Sequence, residues 1–159
     1  MIELSLVGVR VELPSNQPIV LLKETTGERY LPIWIGAVEA TAIAFALQGI
    51  HTPRPMTHDL LRDILRGNEI DVDSIVISEL QDSTFFATIK MTTEGRASEI
   101  SSRPSDAIAL AVRIDAPIYA AEEVLEQAGI EIKDEEETEV EKFREFLDQV
   151  TPEDFAAES

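Results

Sequence analysis

Apolar residues change their period several times along this chain, and each change marks a new element. Ile2, Leu4 and Leu6 alternate with polar or outward positions, the two-residue period of a half-buried strand. The alternation resumes out of phase at Val7, Val9, Val11 and Leu13. A phase flip at Gly8 predicts a bulge or bend inside one long strand. Pro14-Ser15-Asn16 breaks it. Residues 19–22 are a continuous apolar run, read as a buried strand. Thr26-Gly27 marks a hairpin turn, and residues 30–35 form a third strand. Pro32 has no N–H to donate, which places that strand at an edge or an irregularity.

After Gly36 the period becomes helical. Val38, Ala42, Phe45 and Gly49 recur at spacings of four, three and four, and alanines at 37, 40, 42, 44 and 46 make a thin helix that can approach a sheet closely. Thr57 is the expected N-cap of a second helix, with Leu60, Leu61, Ile64 and Leu65 as its buried face. His58, Asp59, Arg62, Asp63 and Arg66 fall on its remaining surface, and Gly67 is its stop. Alternation around Ile75–Ile77 and Phe85–Met91 predicts two long strands joined by a hairpin at Gln81-Asp82-Ser83. Glu94-Gly95 turns the chain into a weaker polar strand running to Ile100. Pro104 belongs in the first turn of a helix containing residues 108–112. A short strand at Pro117-Ile118-Tyr119-Ala120 and a helix over 122–128, ended by Gly129, follow. Asp134-Glu135-Glu136-Glu137 reads as a solvated hinge. Val140, Phe143, Phe146, Leu147 and Val150 beyond it have the spacing of an amphipathic helix, and Thr151-Pro152-Glu153-Asp154 caps a final turn. The fold class is α+β: a mainly antiparallel or mixed sheet covered by helices, one compact domain plus an acidic C-terminal helix.

Composition narrows this picture. A chain of 159 residues can bury a sizeable core in one domain. It has no cysteine, which excludes disulfides and thiolate metal sites. The N-terminal residues lack the basic and long apolar segments of a signal peptide, and no stretch is long enough to span a membrane, so the chain reads as cytoplasmic with no membrane partner. The net charge is -18. Residues 131–159 hold 12 acidic and 3 basic residues, half of the excess. Nucleic-acid binders normally show a basic footprint, so a polyanion would need a local basic patch or a cation here. The acidity equally serves solubility, or docking on a basic protein groove.

Two polar clusters at helix starts are the candidates for chemistry: Arg54-Pro55-Met56-Thr57-His58-Asp59 and Ser101-Ser102-Arg103-Pro104-Ser105-Asp106. Each sets Arg, Pro, a hydroxyl and Asp in that order. The chain has no glycine-rich phosphate loop, no G-x-S-x-G elbow and no H-E-x-x-H, and its two histidines cannot make a three-histidine zinc site. His58 can be a general acid or base, or a capping residue. Asp59 and Asp106 lie in first turns, where a helix end stabilises a carboxylate whatever its role. Arg54 and Arg103 can grip a phosphate, with Ser105 and Arg62 as further contacts, or can pair with acidic neighbours such as Glu39 and Asp106. Glu39, Asp59 and Asp106 are also the carboxylates that could hold Mg²⁺ or another divalent cation, which needs only one or two of them.

Leu31-Pro32-Ile33-Trp34-Ile35-Gly36, Glu39-Ala40, Arg54 to Leu61, Thr84-Phe85-Phe86-Ala87 and Arg103 to Leu110, in this order and spacing, resemble the bifunctional nuclease family. The resemblance covers roughly residues 1–130. It implies a compact α+β domain, an oligomer (a dimer is the expectation), and hydrolysis of both DNA and RNA. Residues 1–133 are then the nuclease-like domain and 134–159 the acidic helix. The resemblance assigns no individual roles. On the enzyme reading, the chemistry of the two clusters makes His58, Asp59, Glu39 and Asp106 the expected catalytic set, and Arg54, Arg103, Ser105 and Arg62 the expected substrate contacts. The alternative is a non-enzymatic acidic module that docks on a protein partner such as RNA polymerase.

Overall fold

The computed structural model describes residues 1–12 and 16–132. The expected turn at Pro14-Ser15 and the acidic helix over 134–159 lie outside them. The elements are β1 (Ile2–Glu12), β2 (Gln17–Glu24), β3 (Arg29–Trp34), α1 (Ala37–Leu47), α2 (Thr57–Gly67), β4 (Asp71–Gln81), β5 (Thr84–Thr93), β6 (Arg96–Ser102), α3 (Pro104–Ile114), β7 (Ile118–Ala120), α4 (Glu122–Ala128) and β8 (Ile130–Glu131). All eight strands join one sheet in the order β6-β5-β4-β7-β1-β2-β3-β8. The β4–β7 pair is parallel and the others are antiparallel, so the α+β reading holds, with a mixed sheet. Two meanders make the sheet: β1-β2-β3 and β4-β5-β6. The three-residue β7 lies between them, pairing with β4 on one side and β1 on the other.

The predicted bulge is present. The β1–β2 register shifts between Leu6 and Gly8, so Ile2, Leu4, Val9 and Val11 all reach the same core while Val7 packs with Leu21 and Tyr30 in a separate cluster. Leu22, Leu31, Ile43, Ile75, Ile77, Ile108 and Leu110 fill the main core. Truncating any one of them to alanine costs about 2–5 kcal/mol. Pro32 pairs opposite Leu21, past the two residues of β3 that β8 covers, and so sits at the exposed edge it was expected to need. The β4–β5 and β5–β6 hairpins turn through Asp82-Ser83 and Glu94-Gly95, all with positive φ, which suits the right-handed twist of the strands.

Four helix readings need correction. In α1, Ala40, Ala42, Ile43 and Ala44 face inward and Val38 is 73% exposed, so Val38, Ala42, Phe45 and Gly49 are not the buried stripe. The helix is apolar on every side, and spacing alone does not choose a face. Gly49 instead takes φ 66 just past the helix end, where the Ile50 N–H returns to the Phe45 carbonyl. In α2 the N-cap is Met56, not Thr57, and the Asp59 carboxylate accepts the Met56 N–H at 3.1 Å. His58 is buried, at 6% exposure, while Leu60 and Ile64 are half exposed. The left-handed residue that turns the chain after α2 is Glu69, not Gly67. No described helix is long and apolar enough to cross a membrane.

Helices α1 and α3 pack against each other and on the sheet, and α2 packs on α3. Helix α4 touches both β3 and β4, which are far apart in the strand order, so the sheet curls around it. The curl brings the end of β3 close to the tip of the β4–β5 hairpin.

Candidate active site

The starts of α1, α2 and α3 meet through one chain of charged groups. Pro104 at the first position of α3 sets the helical φ, and Arg103 before it stays extended. Arg103 Nε then donates to Asp106 Oδ2 at 2.9 Å, and its Nη2 donates to Glu39 Oε1 on α1 at 2.7 Å. The other Asp106 oxygen lies 2.8 Å from His58 Nε2 on α2. An ionised carboxylate only accepts, so His58 carries its proton on Nε2 and donates it there. Glu39 folds back over Gly36, its carboxylate lying where a side chain at 36 would begin. His58, Arg103, Asp106 and Glu39 are thus brought together, as a shared site requires.

Asp59 belongs to a different network. Its Oδ1 accepts from Arg113 Nε at 2.7 Å, and Arg113 also donates from Nη1 to the Ala109 carbonyl and from Nη2 to the Ala42 carbonyl on α1. One buried guanidinium therefore links all three helices. Arg62 pairs with Asp63 and, more distantly, with Asp59. Arg54 is exposed, and its side chain makes no ion pair among the described residues. Arg113 drew no attention in the sequence because a basic residue in a last helical turn is ordinary. Its signal was its place two turns after Asp106 on the same helix face.

Burial opposes charge on Asp106, but hydrogen bonds from His58 and Arg103, with the Arg103 charge, outweigh it and hold the carboxyl below its ordinary range. At Asp59, burial is likewise overcome by Arg113, the Met56 N–H and Arg62. Arg103 is held more firmly protonated by Asp106 and Glu39. A carboxylate with a lowered folded pKa binds fewer protons folded than unfolded. Its stabilisation is complete above the unfolded value near ~4 and is lost as pH falls through the folded value. The stability gap between the native chain and Asp106→Asn should therefore be constant from pH 7 to about 5 and close on further acidification. Urea unfolding across that range checks it, and a gap that widens in acid would refute the ion-pair account.

Beside this charged chain lies a cleft of about 280 Å³. The end of β3 supplies Trp34 and Gly36, the hairpin tip supplies Ser83, Thr84 and Phe85, and the start of α3 supplies Arg103 and Ser105. Arg103, 65% exposed along its side chain, is the residue common to the cleft and the ion-pair chain. Ser105 lines the cleft but is buried, at 6% exposure, and Arg54, Arg62 and His58 do not line it. Trp34 and Phe85 were missed as site residues because aromatic residues in a strand read as core.

The fit of a divalent cation can be judged from the same geometry. Glu39 and Asp106 are both engaged by Arg103 and Asp59 by Arg113. Among the described residues no three acidic or imidazole groups cluster, so no site built from protein ligands alone is present there. As arranged, each of these carboxylates is already taken by a guanidinium, an arrangement that fits arginine rather than a divalent ion.

The bifunctional nuclease domain matches residues 20–133, a span that begins in β2 and takes in Glu39, His58, Arg103 and Asp106. An uncharacterized protein of Mycobacterium tuberculosis is 49% identical, with 98% of each chain covered. Bifunctional nuclease 2 of Oryza sativa subsp. japonica is 26% identical over 77% of this chain and 39% of its own length. Bifunctional nuclease 1 of Oryza sativa subsp. indica is 24% identical over 74% and 36%. With the domain matched across all three helix starts and both lips of the cleft, this chain belongs to the bifunctional nuclease domain family.

Proposed function

We propose that the chain hydrolyses phosphodiester bonds of DNA and RNA in the cleft at the start of α3. The observation that carries this is Arg103: exposed on the cleft wall, its Nε and Nη2 are held by Asp106 and Glu39, and its Nη1 has no partner among the described residues. A guanidinium fixed in this way can take a phosphate oxygen without first being ordered. The two carboxylates flank it. A phosphate arriving at Arg103 competes with Glu39, and the carboxylate released beside it accepts the proton of the attacking water. The new bond from water to phosphorus forms as the ester P–O bond breaks, and solvent protonates the leaving oxygen. His58 is too buried to meet substrate. It acts through its hydrogen bond, keeping Asp106 oriented toward Arg103.

The local charge balance has a testable consequence. One arginine against Glu39 and Asp106 leaves a net negative group, so phosphate binds against repulsion. Glu39→Gln should tighten binding of a short oligonucleotide severalfold, measured by anisotropy, while slowing cleavage if Glu39 is the base. Weaker binding would contradict the repulsion. For the activity itself, purified protein should cleave single- or double-stranded DNA and RNA in assays run with and without Mg²⁺. Arg103→Ala should lower kcat/KM by about 100-fold or more, the usual cost of losing one charge-stabilising donor. Absence of cleavage by the native chain under all these conditions would end the hydrolytic reading.

A second reading is favoured by α2, where Leu60 and Ile64, one turn apart, are half exposed. They would serve as a docking face for a protein partner, RNA polymerase among the expected ones, or for a second copy in a dimer. Inactive protein that co-purifies with such a partner, and loses it on Leu60→Asp, would establish this reading instead.

A further inference from the structure

We infer that the cleft selects an unpaired nucleotide, its base stacked on Trp34 and its phosphate on Arg103, so that the substrate is single-stranded. This rests on the hydrolytic reading of the same cleft. Trp34 is 54% exposed, although Ile33 and Ile35 on either side of it are buried. A large indole exposed on a cleft wall, with Phe85 also lining that cleft, offers a flat apolar face for a base to stack on. The faces of paired bases are covered by their neighbours in a duplex, whereas a single strand offers each base face for stacking. At about 280 Å³ the cleft is near the lower bound of small-molecule sites, a size suited to one nucleotide. Charge points the same way. The chain carries -18 overall, and Arg103 is already matched by two carboxylates, so a long phosphate track has nothing to hold it. Affinity must come from stacking plus one phosphate contact.

Trp34 is the chain's only tryptophan, so tryptophan emission, excited selectively over the two tyrosines, reports on this site alone. The probes are a five-residue thymidine oligonucleotide, an abasic phosphodiester strand of the same length and a blunt hairpin duplex, with cleavage followed in parallel. The thymidine strand should quench saturably, the abasic strand should not, and the duplex should bind at least tenfold more weakly. The salt dependence of log K should have a slope of about -0.7, one phosphate's worth. By anisotropy with a labelled strand, Trp34→Ala should weaken binding by about tenfold or more, and Trp34→Phe much less. Equal quenching by duplex and single strand, quenching by the abasic strand, or unchanged affinity in Trp34→Ala would overturn the inference. Cleavage without quenching overturns the nucleotide subsite and leaves hydrolysis standing. Quenching without cleavage does the reverse, and neither signal overturns both.

Discussion

Replacing Arg29 with alanine should destabilise the fold and lower the urea midpoint clearly, because it strands the buried Glu24 carboxylate without its cation. Glu24 is buried at the end of β2 and accepts three bonds from Arg29: 3.0 Å from its backbone N–H to Oε2, and 3.0 and 2.6 Å from Nε and Nη2 to Oε1. Gly27, inside the turn they bracket, leaves the space that the carboxylate fills. Arg29 also donates to Glu122 at 3.0 and 3.1 Å, fastening the hairpin to the first turn of α4. The hydrogen bond from Arg29 is the largest influence on Glu24 and, against the opposing effect of burial, holds its carboxyl below the ordinary range. The two partners should respond unequally. Glu24→Ala leaves a partly exposed arginine that keeps Glu122 and water, and should cost roughly half as much. Arg29→Ala leaves a buried carboxylate with no cation. Its deficit is full above the unfolded carboxylate pKa and should shrink as pH falls and Glu24 takes up a proton. Urea titrations of both variants at pH 7 and pH 4 test this. Equal costs, or an Arg29→Ala deficit that grows in acid, would show that the pair is not what holds the hairpin.

Arg113→Ala should cost about 3 kcal/mol and lower Tm by roughly 10 °C. The side chain is 5% exposed, and the loss strands Asp59 together with two helix carbonyls. Asp59 retains the Met56 N–H and some solvent, which keeps the cost at the lower end of the range for buried pairs. Arg113→Lys should recover little, because one ammonium cannot reproduce a planar fork aimed at acceptors on three helices. Adding Asp59→Asn to Arg113→Ala should restore part of the loss by removing the stranded charge. A double variant less stable than the sum of the singles would contradict the pairing.

Strands were legible in the sequence because their signals are local. Alternation located β4 and β5, the phase flip at Gly8 gave the bulge, and Asp82-Ser83 and Glu94-Gly95 marked their turns. Helix faces were less legible. An alanine-rich α1 presents apolar surface all round, and the burial of His58 depends on Asp106, a partner 48 residues away. The clusters at Arg54–Asp59 and Arg103–Asp106 were visible from composition, but their separation into two networks was not. That division turns on Arg113, whose acceptors are an α1 carbonyl and an α2 carboxylate. Trp34 has the sequence setting of a core residue. Its exposure follows from the strand's two-residue alternation, which turns Leu31, Ile33 and Ile35 inward and Trp34 to the other face.

The curl of the sheet around α4 has a consequence for the order in which the molecule can be assembled. Each meander, β1-β2-β3 and β4-β5-β6, contains only pairings between strands adjacent in the chain, which close small loops at small entropic cost. The seam at β7 is different: three residues near the end of the described chain must bridge strands from its beginning and its middle. Contacts of such long sequence separation are slow to form. The cleft has one lip on each meander, so neither half can present it alone. Ligand binding in the cleft and closure of the seam should appear in the same kinetic phase of refolding, with strand signal preceding both.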